Sequence, residues 1–113
     1  MKIVHKDQVK TFKNSKFCTA LEYPMEDKDI NGAIIKLVGR YPDKGSVMNK
    51  VCKEMAYIIK GSGKLTVDSK TIKIGQRDLI LLEPGEKYYW EGNLTMFIPS
   101  TPAWYPEQHK QLM

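Results

Sequence analysis

The sequence predicts an all-β fold, an antiparallel barrel or sandwich of short strands. Three observations carry this reading. Turn-forming residues recur about every eight to twelve positions, the spacing of strands joined by short connections. The runs between them, such as Ala33–Val38 and Asp78–Leu82, are rich in Ile, Leu and Val, whose side chains suit a pleated surface. No helical pattern lasts more than a turn or two.

Taken in order, Lys2–Val4 reads as a short strand, residues 8–30 as less regular, and Glu26-Asp27-Lys28-Asp29 as an exposed loop. Asn31-Gly32 reads as a tight turn, since both residues tolerate positive φ. It leads into the strand Ala33–Val38, which Gly39 and Tyr41-Pro42-Asp43-Lys44-Gly45 end. Glu54–Lys60 is a strand that closes in a hairpin at Gly61-Ser62-Gly63. Lys64–Val67, the turn Asp68-Ser69-Lys70 and Thr71–Ile74 follow, and Gly75 ends that pair. Asp78–Leu82 is the strongest strand and stops at Glu83-Pro84-Gly85. Lys87–Trp90 and Thr95–Ile98 flank Gly92-Asn93, and Pro106–Leu112 reads as a short terminal helix.

The 113 residues suit one domain, 1–113, with 42% apolar residues to fill a core. The net charge of +5 comes from lysines scattered between Lys2 and Lys110. They form no dense block and accompany no helix-turn-helix, zinc-finger or RNP-type pattern, so the charge reads as solubility and not as nucleic-acid binding. No secretory signal is read at the start of the sequence. Apolar runs stay far below the roughly 18–20 residues of a membrane span. With two cysteines, Cys18 and Cys52, outside any CxxC motif, the expectation is a cytoplasmic protein with reduced thiols and no membrane partner.

In Met55-Ala56-Tyr57-Ile58-Ile59, and again in Leu79-Ile80-Leu81-Leu82, both alternating faces are apolar. A strand with one wet face should alternate with polar residues. The expected cover is a second copy of the chain in a homodimer, or else the N-terminal segment.

Two stretches carry a family resemblance. Glu54 begins a strand, six residues follow, and Gly61 comes next; later, Asp78–Glu83 leads through Pro84-Gly85 to Tyr88. These resemble the first and second conserved motifs of the cupins, over roughly residues 33–100. Pro102–Gln108 is similar to the tail of many small members. The resemblance implies a jelly-roll-like β-barrel with an interior pocket. It also implies a metal held by two histidines and a glutamate of the first motif and a histidine of the second. Those histidine positions fall here on Met48 and Lys50, or on Val47 and Asn49 under the family's alternative spacing, and on Tyr88. Pro42 and Arg77 stand where the family tends to have glycine, and Glu83 where it often has proline. Only Glu54 remains as a ligand, and His5 and His109 lie at opposite ends of the sequence. A transition metal needs three or four converging donors, so no metal and no cofactor are expected.

In place of a metal, the expected pocket is Met48, Lys50, Cys52, Glu54, Tyr88 and Trp90. Lys50 and Glu54 share a parity and either pair with each other or bind a ligand, Lys50 an anionic or carbonyl oxygen and Glu54 a hydroxyl. Tyr88 and Trp90 either pack in the core or face a ring-shaped or sugar-like ligand. Cys52 reads as an inert, partly buried thiol, because no histidine stands near to activate it. The functional expectation is a metal-independent small-molecule binding module. The alternatives are a metal-free isomerase, epimerase or lyase, with Glu54 as base, Tyr88 as acid and Lys50 as electrostatic stabiliser, and a ligand-free structural or regulatory dimer.

Overall fold

The computed structural model describes residues 1–112. Their strands are β1 (Lys10–Ser15), β2 (Cys18–Tyr23), β3 (Asn31–Tyr41), β4 (Ser46–Asn49), β5 (Lys53–Val67), β6 (Lys70–Gly75), β7 (Leu79–Leu82), β8 (Tyr88–Thr101) and β9 (His109–Leu112). Single 3-10 turns at Lys6–Gln8 and Pro106–Gln108 are the only helical elements among them. The fold is all-β, as the turn spacing predicts, and every strand pair is antiparallel.

The curvature follows from β8. One edge pairs with β3, from Ser100 opposite Asn31 to Trp90 opposite Tyr41. The other pairs with β5, from Thr101 opposite Lys53 to Tyr88 opposite Val67. A long strand held on both sides by long, twisted partners rolls the sheet into a jelly-roll-like barrel. Inward positions bury Leu37, Val47, Ile58, Leu65, Leu94 and Met96. Burying a side chain of this size contributes about 1.5–3 kcal/mol.

The glycine signals divide. Asp68 and Ser69 make the β5–β6 turn with φ of 47° and 72°, and Gly85 turns at φ 86° after Pro84, as read from the sequence. Gly61-Ser62-Gly63, however, is no hairpin: β5 runs through it, with a register shift between Ile58 and Lys60. A Cβ on Gly63 would lie 2.1 Å from the Glu91 carbonyl oxygen. The residue is glycine so that β5 can cross β8 closely. Gly92 sits opposite Gly63 in that crossing, and β8 passes through it without a break.

Four further expectations are corrected. Lys2–Val4 forms no strand; Lys2 instead donates to the Glu26 carbonyl at 2.6 Å. Residues 8–30 hold the β1–β2 hairpin, whose inward residues Cys18 and Ala20 are too small to give a clear apolar alternation. Asn31-Gly32 opens β3: the Asn31 carboxamide bonds both the N–H and the C=O of Trp104, tying the strand to the tail. Residues 109–112 form β9, which pairs with β4 and places His109 opposite Asn49.

The outer face of β5 remains open. Ala56 and Ile58 are buried, whereas Met55, Tyr57 and Ile59 are about 40% exposed, and Leu79 on β7 is 62% exposed.

Candidate functional site

The barrel interior is not filled by its own side chains. It holds a cavity of about 270 Å³, lined by residues of β2, β3, β5, β7, β8 and the C-terminal tail. Apolar wall comes from Ala20, Ile35, Leu37, Ala56, Leu82 and Met96, and aromatic wall from Tyr41, Tyr88, Trp90 and Trp104. Exposed Asn14 and Pro106 also line it and mark where it meets solvent.

A chain of hydrogen bonds runs along one wall. Asn49 is 2% exposed and sits at its centre. Its amide nitrogen donates to Glu54 Oε1 at 2.5 Å, and the Tyr88 hydroxyl donates to the same oxygen at 3.3 Å. Its Oδ1 accepts from Trp104 Nε1 (3.3 Å) and Gln108 Nε2 (2.9 Å), and meets His109 Nδ1 at 2.9 Å. An indole N–H only donates, so the Asn49 atom facing it is the oxygen, and His109 Nδ1 must carry a proton to bond the same atom. In the neutral ring this leaves Nε2 as an acceptor, 3.0 Å from the Tyr41 hydroxyl, which donates to it. Tyr41 and His109 are also stacked, with 11° between their planes.

Glu54 Oε2 takes no hydrogen bond among the described residues, yet no buried polar atom there lacks a partner. Oε2 is therefore open to the cavity.

Burial sets the protonation states. It raises the Glu54 carboxyl above its usual range, despite the opposing bonds from Asn49 and Tyr88. It lowers the His109 imidazole, keeping the ring neutral. Both phenols, Tyr41 and Tyr88, are pushed up, and the Cys18 thiol is raised to about 11. A carboxyl moved up and an imidazole moved down thus line one cavity, joined through Asn49, a pair of opposite shifts that suits acid–base chemistry.

Of the residues the sequence nominates, Glu54, Tyr88 and Trp90 line the cavity, and Met48, Lys50 and Cys52 do not. The bend at Lys50–Val51, between β4 and β5, breaks the period of two. It turns Asn49 and Glu54 inward and leaves Lys50 exposed, its backbone N–H bonded to the Gln108 carbonyl. Lys50 therefore forms no ion pair with Glu54 and does not line this cavity. Cys52 is buried behind the wall, its N–H on Gln108 Oε1 and its Sγ 3.8 Å from the Ala103 carbonyl. The family's alternative spacing, on Val47 and Asn49, matches the buried positions. His109 escapes the sequence reading because the β4–β9 pairing brings it in, whereas Tyr41 arrives at the end of β3 opposite Trp90 and Trp104 on the tail, held by Asn31 and Asn49. Cys18, without context in the sequence, also lines the cavity.

The family's ligand positions thus hold Val47, Asn49, Glu54 and Tyr88, which is one carboxylate, one carboxamide, one phenol and one aliphatic side chain. Both nitrogens of the neighbouring His109 are engaged, by Asn49 and by Tyr41. Among the described residues no three His, Cys, Asp or Glu side chains converge. This donor set does not fit the family's transition metal.

Comparison with known proteins places the architecture. The model of the EutQ-like cupin domain matches residues 42–97. No curated protein matches the sequence. Among solved structures, the Streptomyces nucleoside dehydratase Pac13 superposes with a TM-score of 0.89, at 16% identity, over 99% of this chain and 91% of its own. Variants of that protein with a tyrosine changed to phenylalanine, or a histidine to glutamine, have been solved with uridine. The polyketide cyclase RemF of Streptomyces resistomycificus (TM-score 0.75, 17% identity, covering 100% of this chain and 86% of its own) has the same fold. So does the ectoine synthase of P. lautus (TM-score 0.76, 16% identity, covering 100% and 91%). With its barrel, its two motifs and the match over 42–97, this chain is a small cupin domain.

Proposed function

We propose that the chain is a metal-independent acid–base enzyme of the lyase or isomerase type, acting on a small hydroxylated ring compound. The observation that carries this is the chain Tyr41–His109–Asn49–Glu54–Tyr88 along the wall of one cavity. Glu54 Oε1 accepts two hydrogen bonds, as the carbonyl oxygen of a protonated carboxyl does, while Oε2 faces the void. Glu54 is the acid: Oε2 delivers a proton to a departing hydroxyl, which leaves as water. Tyr41 and His109 are the base. The phenol oxygen takes a proton from substrate carbon as its own proton passes to Nε2, and the C–H electron pair becomes the new double bond. Isomerisation needs the same two groups without loss of water. Trp90 and Trp104 offer ring faces for stacking. The fold shared with a nucleoside dehydratase makes nucleosides the first compounds to try.

The test is turnover by chelator-treated protein over a panel of nucleosides and cyclic sugars, read by mass spectrometry. Dehydration or isomerisation that Glu54→Gln and His109→Gln each reduce about 100-fold or more is expected. Activity surviving both substitutions would refute the assignment. Saturable binding without turnover would leave the simpler reading, a small-molecule binding module.

The open apolar face of β5 and β7 supports a second proposal, that two copies pack there as a homodimer. The two buried free thiols, Cys18 and Cys52, support a reducing, cytoplasmic setting.

A further inference from the structure

We propose that the cavity admits uncharged or cationic ring compounds and turns away phosphorylated and carboxylated ones, with Glu22 setting this selectivity near the opening. The inference rests on the reading of the cavity as a ligand site and narrows the ligand's charge class.

The contrast between surface and interior carries it. The chain has 18 Lys and Arg residues and a net charge of +5. None of these cations lines the cavity, whereas two acidic side chains do, the Glu22 carboxylate and the Glu54 carboxyl that serves as the acid. Lys50 is on the outside. Arg40 is turned away: its guanidinium bonds the Pro42 and Gly45 carbonyls and stacks on Tyr89. Lys10, the register partner of Glu22 across β1 and β2, is exposed and outside the lining. The Glu22 side chain makes no hydrogen bond or ion pair among the described residues; burial pushes its carboxyl up and the charge of Lys10 opposes this, so Lys10 offsets its field only in part.

An entering phosphate or carboxylate would lose hydration and meet no guanidinium, ammonium or helix N-terminus in return. It would meet like charge in a space of low dielectric constant, where repulsion is stronger than in water. An uncharged ring loses little and gains the faces of Trp90, Trp104 and Tyr41. A cationic ring gains the same faces and the Glu22 carboxylate as well.

Both tryptophans of the chain line the cavity, so intrinsic fluorescence reads its interior without any substrate. Quenching is measured with acrylamide, caesium and iodide at pH 8 and constant ionic strength. Acrylamide and caesium are expected to quench well and iodide poorly, against the protein's net positive charge. Glu22→Gln, close in size and shape, should raise the iodide quenching constant about threefold, the effect of one unit charge at this range. Glu22→Lys should raise it further, with far-UV circular dichroism confirming the fold; if that variant fails to fold, Glu22→Gln decides. Iodide quenching equal to acrylamide in the unaltered protein, or unchanged in the folded variants, would overturn the proposal. So would acrylamide failing to quench, since the cavity would then be closed to small molecules. The readout needs no turnover, so its failure is separate from failure of the acid–base assignment.

Discussion

Asn49 holds the site together because its two amide atoms face opposite partners. The nitrogen donates to Glu54, and the oxygen takes Trp104, Gln108 and His109. Leucine at this position would match the volume but strand three donors in the interior. Each costs about 1–3 kcal/mol when left unpaired, so Asn49→Leu should lose at least about 3 kcal/mol in urea unfolding. A loss under 1 kcal/mol would mean that the network contributes little to stability. The titrating neighbours give opposite pH dependences. The folded-state Glu54 pKa is raised above 4.5, so the stability its proton contributes is present below 4.5 and lost as pH rises through the folded pKa. Glu54→Gln keeps the acceptor at Oε1 and never ionises, so its melting temperature should gain on wild type as pH climbs from 4.5. His109 is lowered from 6.5, so the unfolded chain takes its proton first and stability falls as pH drops below 6.5. His109→Gln should flatten that fall. Melting curves from pH 4 to 8 check both, and variants that run parallel to wild type would refute the burial argument. Glu54 and Tyr88 were legible because they stand in motifs whose spacing survives the loss of the histidines. His109 was not, since nothing local marks a histidine that reaches the cavity through strand pairing.

The strands were legible as apolar runs, but their joints were not, because glycine marks both turns and close crossings. Gly63 shows the difference. Its sequence context predicts a hairpin, yet it lies mid-strand, where β5 passes over Glu91 and Gly92 of β8. An added methyl there meets backbone, which cannot rotate away as a side chain can. Gly75, at the end of β6, would place its Cβ 4.0 Å from the nearest atom, the Gly61 carbonyl oxygen. Gly63→Ala should therefore cost about 3 kcal/mol or more, and Gly75→Ala less than about 1 kcal/mol. Chemical denaturation of the two single variants separates the readings. Equal costs would show that Gly63 serves as a turn residue after all. The β4–β5 bend is the same kind of event on a smaller scale. One irregular step at Lys50–Val51 moves the inward parity, and every assignment by counting back from Glu54 shifts with it.

For the whole molecule the decisive feature is that both faces of the β5–β7–β8 sheet are apolar. The inner face makes the cavity and core. On the outer face Tyr57 lies directly opposite Leu79 on one side and Phe97 on the other, and Met55 lies opposite Leu81. These are cross-strand neighbours, so their exposure forms one patch and not scattered single residues. The chain's N-terminal residues, tied to Glu26 and Asp27 through Lys2, leave that patch exposed. A homodimer that seats two such faces together would need roughly 800 Å² from each copy to be stable. Sedimentation velocity should then show a concentration-dependent dimer of 13.0 kDa chains. The double variant Tyr57→Lys, Leu79→Lys places two like charges in the centre of the face and should shift the species to monomer. Its side chains point away from the barrel interior, so tryptophan quenching by acrylamide should stay unchanged. A wild-type protein that sediments as a monomer throughout the micromolar range would sink the dimer. The apolar outer face would then need another cover.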